Sequence, residues 1–355
     1  MRLTDVFTAQ AVAARQTSDA SNQMPYLGLG FFPNKKKMGI DLKWIKTHKG
    51  LGVALKPSAF DSLATIRPRN GFKAITEEMP LFRESMTIKE QDLVEIQRAQ
   101  DSNDPYLNDV LSHIYDDTDE LINGAEISAE RMRMNLIVPA GGEMKITIGM
   151  ADNTLYSYNY DEDGSWKANH YMELTGDATW DNPSTAKPLN DIQEAVDYLA
   201  GLGITAKYVM MNTKTLNYLV ESEQIKNAFI TASGVSVGFV DKASAKEIFE
   251  RKTGIKPLIN DKKYKDYDGT DKKFYLDDYV SIIGSDILGN TWYGVTPEER
   301  TLLGDNKVDV SVLDSGIAIA VQTIYGPPVM HTTTASQIVL PSYENMDSVY
   351  VIKVK

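Results

Sequence analysis

Residues 28–72 read GLGFFPNKKKMGIDLKWIKTHKGLGVALKPSAFDSLATIRPRNGF, a basic and turn-rich stretch inside an acidic chain. It holds nine basic residues, Lys35, Lys36, Lys37, Lys43, Lys46, Lys49, Lys56, Arg67 and Arg69, against Asp41 and Asp61, a net charge of +7. The 355-residue chain has 37 basic and 49 acidic residues, net −12, so everything outside the stretch sums to −19. Short alternating runs, Ile40-Leu42-Trp44 and Leu51-Val53-Leu55, are broken at Lys49-Gly50 and Asn70-Gly71 and predict β-ribbon rather than helix. A ribbon this long has few apolar partners of its own, and two strands alone are marginal in water. It needs a further surface to lie against, and a charge so unlike its own protein suggests the surface of another molecule.

The opposite charge follows at once. Residues 86–130 carry twelve acidic side chains against Lys89 and Arg98, net −10. Thr87 with Glu90 three positions on has the form of a capping box and predicts a helix over 88–99. Asp104 as a cap and Pro105 in the first turn predict a second, longer helix that stops at Pro139 and Gly141-Gly142. Leu107, Val110, Leu111, Ile114, Leu121, Ile122, Ala125, Ala129, Met132 and Leu136 share one of its faces. Roughly 34 residues at about 1.5 Å each make a rod of about 50 Å, with Gly124 as a point where it can bend.

The remaining pattern is mixed. Residues 1–27 are polar and predict an arm with a short helix over 5–15. Strands are predicted at 145–147, 154–160, 167–174, 208–211, 256–259, 273–276, 279–283, 308–313, 317–324 and 349–354. Helices are predicted at 192–200, 214–229 and 243–251. No apolar run approaches the ~18 residues a membrane helix needs, and the N-terminus lacks an apolar signal core and reads as a mature cytosolic start. The chain has no cysteine, which removes disulfides, thiolate nucleophiles and cysteine-based zinc sites together.

Chemical motifs are absent or incomplete. His48, His113, His170 and His331 are scattered, without the spacing of metal ligands. There is no phosphate-binding GxxxxGK[ST] loop, no GxSxG and no HExxH. Asn159, Asp161, Asp163 and Gly164 match the first half of a calcium loop, but His170 stands where the closing carboxylate belongs, so a hairpin turn is the reading. Tyr267-Asp268-Gly269-Thr270-Asp271 reads as a turn between strands. No catalytic residue, metal ligand or cofactor is expected from these residues.

The order of segments, with Leu29-Gly30-Phe31-Phe32-Pro33, Lys36-Lys37, Gly39-Ile40-Asp41-Leu42, Trp44-Ile45-Lys46, Ser58-Ala59-Phe60-Asp61, Ile66-Arg67 and Met79-Pro80-Leu81-Phe82 before Glu84, resembles the major capsid protein of tailed phages. The similarity is to the lambda-type, major capsid protein E subfamily with the Hong Kong 97-type fold. It is specific over residues 27–100 and compatible elsewhere. It implies an α+β subunit divided into an N-terminal arm (1–28), an extended loop (29–86), a spine helix and peripheral domain (87–185), an axial domain (186–325) and C-terminal strands returning to the peripheral domain (326–355). It implies a structural role without catalysis, in hexamers and pentamers of an icosahedral virion head assembled in the host bacterial cytoplasm. The partners it implies are further copies of the chain, a separate scaffolding protein, a portal, a decoration protein, and DNA enclosed without sequence-specific binding. No membrane is involved.

The charge pattern adds expected subunit contacts: Lys35, Lys36, Lys37, Lys43, Lys46, Arg67 and Arg69 of one copy against Asp109, Asp116, Asp117 and Glu120 of the next. Lys35–Lys37 could also supply a loop lysine for a crosslink to an asparagine, as in other relatives of the fold, although the lambda-type subfamily is not known for it. Two alternatives stand beside this reading: an encapsulin-like compartment, and a soluble acidic hydrolase using carboxylates that no motif marks.

Overall fold

The computed structural model describes residues 26–46, 73–88, 106–149, 155–233, 240–302, 308–325 and 329–355, with Ala9 and positions 90, 91, 94 and 98. The first half of the chain forms α1 (Leu27–Phe31), β1 (Asn34–Lys36), β2 (Asp41–Lys46), β3 (Lys73–Glu78), β4 (Leu81–Ile88), α2 (Tyr106–Ile137), β5 (Lys145–Gly149), β6 (Leu155–Asn159), α3 (Ser165–His170) and β7 (Tyr171–Glu173). Then come α4 (Pro188–Gly201), β8 (Tyr208–Met211), α5 (Thr213–Glu221), α6 (Glu223–Ser233), α7 (Lys242–Thr253), β9 (Lys256–Ile259), β10 (Lys263–Lys265), β11 (Asp271–Lys273) and β12 (Tyr279–Ile283). The chain closes with β13 (Asn290–Tyr293), α8 (Pro297–Leu302), β14 (Val308–Val312), β15 (Ala318–Tyr325), β16 (Val329–Ser342) and β17 (Val349–Lys353). These fall into two units, each made of three pieces of chain: residues 1–42, 77–133 and 290–342, and residues 43–76, 134–289 and 343–355.

The first unit is built on β16, a 14-residue strand. β15 pairs with its residues 329–336, and β4 lines the opposite edge from Ile88↔His331 to Leu81↔Ile338. Its last four residues pair with β13, which in turn holds β1 in parallel. α2 runs unbroken through Gly124 and lays Leu121, Ile122 and Ala125 on Ile317, Ile319, Val321 and Ala335, with Met86 and Ile88 at the margin.

Two expectations fail in this unit. Thr87 is not a helix cap: it lies in β4 opposite Thr332, where the sheet ladder takes its backbone groups, and among the described residues the first helical position after β4 is 90. Residues 27–31 are helical rather than part of a ribbon, because Phe31 and Phe32 are buried in the unit's core. The ribbon proper is β2 paired with β3. Its Leu42 and Trp44 are buried, as the alternation predicts, while Ile40 is exposed.

The second unit centres on a five-stranded sheet, β7-β17-β12-β8-β9. β12 is central and every one of its residues is buried. It runs antiparallel to β17 and β8, whose outer neighbours β7 and β9 are parallel to them. Ile192, Ala195 and Leu199 of α4, Leu216 and Leu219 of α5, Ile225 of α6 and Phe249 of α7 pack with Val209, Met211, Val280, Ile282 and Ile352. α7 is bounded as sequence rules prescribe, with Asp241 accepting from the amides of Ala243 and Ser244, and Gly254 left-handed at its end.

The single helix expected over 214–229 is two. Ser222 takes an extended ψ of 140° between α5 and α6, and its hydroxyl donates back to Leu219 O. The strand expected over 167–174 begins instead as α3, because the Asp161 carboxylate accepts from the amides of Trp166 and Lys167 and starts a helical turn. Deep burial in β12 gives a contrast. Ile282→Ala should cost about 2–5 kcal/mol by cavity formation, whereas Ile287→Ala, at a residue 50% exposed, should cost under about 0.5 kcal/mol. Urea unfolding of the two variants checks the difference.

Candidate functional site

The basic residues that open the chain's +7 stretch are anchored by a buried ion pair on α2. Glu130 and Arg133, one turn apart, are both almost wholly buried and 3.1 Å from each other. Glu130 Oε1 accepts the Gly28 amide at 2.7 Å. Arg133 donates through Nε to Thr291 Oγ1 at 2.8 Å and through Nη2 to Asn34 Oδ1 at 3.1 Å and Tyr293 Oη at 3.0 Å. Thr291 Oγ1 in turn donates to Phe32 O at 2.9 Å. Five of these links end on residues 28–34 or on β13, so α2 holds the start of the basic stretch against the sheet. A glycine is required at 28: a Cβ there would stand 2.7 and 2.8 Å from the two Glu130 oxygens and 2.9 Å from Arg133 Cβ.

The surroundings shift two acids. Burial pushes the Glu126 carboxyl above its ordinary value, with Arg133 pulling the other way. Burial, with the negative charges of Glu126 and Glu130, pushes the Tyr26 hydroxyl up to about 12.

Of the three adjacent lysines, Lys35 and Lys36 sit on β1 at the sheet margin and Lys37 follows directly after it. Lys36 Nζ pairs with Glu299 Oε1 of α8 at 2.5 Å. Lys35 Nζ lies 5.6 Å from the centroid of the Trp292 ring, and Lys37 Nζ donates to Asp41 O at 2.8 Å. Glu298, beside Glu299, takes Arg83 of β4 at 2.6 Å through Oε1 and the Ser336 hydroxyl at 2.7 Å through Oε2. One short helix thus holds both roots of the ribbon, β1 before it and β4 after it. Lys35, Lys36 and Lys37, which the sequence offered for a neighbouring subunit, thus each have a contact within their own.

Lys43 is exposed on β2, and Lys46 ends that strand. Asp109, Asp116 and Asp117 lie along α2, and Glu120 on the next turn is exposed. Arg67 and Arg69 lie outside the described residues. The structure does not bring the acidic set to the basic set among the described side chains. Sequence reasoning missed Arg83, Glu130, Arg133, Glu298 and Glu299; the Pro-Glu-Glu start of α8 marks a helix but nothing in it marks the partners.

The remaining candidates are structural. Asp161 caps α3, and Asp163 Oδ1 accepts from Ser165. His170 is buried, with Nδ1 3.1 Å from Val349 O and its ring stacked on Trp166. His331, on β16, has Nδ1 2.8 Å from Thr323 Oγ1, and burial lowers its pKa. The turn at Tyr267 forms as read, joining β10 to β11. Among the described residues no group of three or more His, Asp and Glu could hold a metal ion, and no helix is long and apolar enough to cross a membrane.

Solved structures share this architecture from end to end. A candidate capsid protein of an E. coli CFT073 prophage matches with a TM-score of 0.60 at 16% identity, covering 98% of this chain and 99% of that one. A phage-related protein from Bordetella bronchiseptica RB50 matches at 0.52 and 11% identity, covering 98% and 97%. The capsid subunit of cyanophage A-1(L) matches at 0.50 and 8%, covering 94% and 92%. The fold is the Hong Kong 97-type fold of tailed-phage capsid subunits, a mixed helix-and-sheet shell protein. The sequence model of the family described as Phage major capsid protein E matches residues 8–308, and the chain belongs to that family. It is thus a capsid protein of the phage head, as the resemblance in residues 27–100 implied, and the family decides for a phage shell over a compartment. Among curated protein sequences none matches this chain.

The buried pair makes two predictions. Arg133→Met leaves Glu130 charged and buried without its partner and should cost about 3–5 kcal/mol, much of it recovered when Glu130→Gln is added; denaturant midpoints of the single and double variants check it. The second concerns pH. The folded state keeps a proton on Glu126 at pH values where the unfolded chain has lost it, so stability falls as pH rises from about 4.5 through the raised value. Glu126→Gln should therefore be more stable than the natural chain near neutral pH, with the advantage gone below the unfolded carboxylate value, as read by urea midpoints across that range.

Proposed function

We propose that this subunit closes hexamers and pentamers of an icosahedral phage head, assembled in the host bacterial cytoplasm around a separate scaffolding protein. A portal and a decoration protein complete the particle, and DNA is enclosed without sequence-specific binding. The subunit acts by contact alone and carries no catalytic step. The family supports a self-assembling shell. We also propose the division into arm (1–28), extended loop (29–86), spine and peripheral domain (87–185), axial domain (186–325) and returning strands (326–355).

The observation that carries the contact reading is the split of charge, +7 over residues 28–72 and −10 over 86–130, in a chain of net −12. Ribbon charge of one copy meets spine charge of the next, which sets orientation and disfavours wrong partners. Lys35, Lys36 and Lys37 are engaged within their own subunit, so the larger share falls to Lys43, Lys46, Arg67 and Arg69, against Asp109, Asp116, Asp117 and Glu120. Each exposed pair contributes about 0–1 kcal/mol, and the contact repeats around every ring.

Expression of the chain with its scaffolding protein should give closed shells by electron microscopy; an inert monomer at every concentration, with or without scaffold, would overturn the reading. Lys43→Glu with Lys46→Glu should lower shell yield in sedimentation, and Glu120→Lys should restore part of it. Shell yield should also fall near 1 M salt, where the screening length is about 3 Å.

A further inference from the structure

The segment that opens the basic stretch is a single helical turn that cannot hold itself. α1 has five residues, Tyr26 before it makes no side-chain cap, and a helix so short gains too few hydrogen bonds to offset its ordering. It is held from α2. Glu130 Oε1 takes the Gly28 amide at one end, and Arg133 Nη2 reaches Asn34 at the other. Arg133 also donates to Thr291, Glu130 and Tyr293, so each of its nitrogens is committed.

One acid on the same face stands outside this network. Glu126, Glu130 and Arg133 follow at spacings of four and three along α2, which places them over one another. Glu126 is half-buried, yet among the described residues it has no hydrogen bond and no ion pair. The charged and titratable groups facing it among those residues are Glu130 and Arg133 on α2, the Tyr26 hydroxyl at the start of the segment and the Tyr293 hydroxyl on β13. Arg133 is the one cation of this set, and Glu130 already matches it. With a proton on Glu126 the set is neutral. Without it, a second carboxylate stands beside Glu130 with no cation to balance it, and such a charge needs water. Tyr26 lies over the same acids: burial, then Glu126 and Glu130, raise its hydroxyl to about 12. Lifting one short segment admits water at far lower cost than opening the sheet and helix beneath it.

We propose that Glu126 is a pH-operated latch for residues 26–34: protonated, it lets the segment seat on α2, and on losing the proton it lifts the segment while the rest of the first unit stays folded. Burial holds the Glu126 carboxyl above its ordinary value of 4.5. The seated form therefore keeps the proton where the lifted form has lost it. The seat is firm below about pH 4.5 and weakens as pH rises through the raised value. The basic ribbon starts from this segment, so the latch sets how firmly its root is held at a given pH. The latch belongs to the single subunit and does not depend on the shell reading.

Amide hydrogen exchange of the full, unassembled chain tests it, each rate being divided by the intrinsic rate of that residue at that pH. Protection over residues 27–36 should fall severalfold between about pH 4.5 and mildly alkaline pH. Protection at the centre of β16, paired on both edges, should stay constant. In Glu126→Gln protection over 27–36 should stay high throughout. Glu126→Met is read in parallel, so that the comparison stands if either variant folds poorly, and it too should show no dependence on pH. An equal fall in both regions would mean that the whole unit loosens and would overturn the latch. Constant protection over 27–36 in the natural chain would overturn it as well, as would the natural chain's fall persisting in the two variants.

Discussion

The Glu130–Arg133 pair is the interaction on which the placement of the basic stretch depends. Two charges taken out of water are costly unless their remaining donors and acceptors are met. Here the guanidinium reaches Glu130, Thr291, Asn34 and Tyr293, and the carboxylate also takes the Gly28 amide. An apolar pair of the same volume could be as stable, but it would not choose among neighbouring registers. The ion pair does, because a shift of one residue in 28–34 would leave a buried charge without its partners. The network ties Asn34 of β1 to Thr291 and Tyr293 of β13, the same strands whose parallel register it accompanies.

Around that anchor the charge of the opening stretch is divided. Lys36, Lys35 and Lys37 are met in turn by Glu299, by the Trp292 ring and by a backbone carbonyl within the first unit. Glu298 adds the tie to Arg83 on the far side of the ribbon. These ion pairs are partly exposed and individually weak, but they converge on α8 from both ribbon roots. Their effect is directional: they specify how the root is held more than they stabilise the unit. Beside these ties the root leaves Met38, Ile40 and Leu81 exposed to water.

The second unit follows a simpler logic. A strand buried on both faces, β12, collects antiparallel neighbours on each side, and four helices supply the apolar cover. Much of this was legible. Tyr208–Met211, Lys256–Ile259 and Tyr279–Ile283 form as strands over the residues their apolar runs predicted. α2 ends close to its Pro139 signal, because proline acts locally and needs no tertiary help. The family resemblance in residues 27–100 likewise carried the shell reading. The long strand β16 was hidden by its own composition: His331, Thr332, Thr333, Thr334, Ser336 and Gln337 give no apolar alternation, although Thr333, Ser336 and Gln337 are buried. Paired on both edges, their backbone groups are satisfied, and that satisfaction is invisible in the chain itself.

What the sequence by itself determined was therefore whatever short-range physics decides: helix limits at proline and glycine, strands where apolar residues run together, the absence of thiol chemistry, and the segregation of positive from negative charge. Which charges meet was decided only by the tertiary structure. Lys36 finds Glu299 and Arg83 finds Glu298 across more than two hundred residues. Thr87 becomes a strand residue rather than a cap because β16 lies beside it. Phe31 and Phe32 turn α1 inward because a core is there to receive them. Electrostatic pairing and burial depend on distance in space, and distance in space is set by the long-range packing that local propensities do not encode.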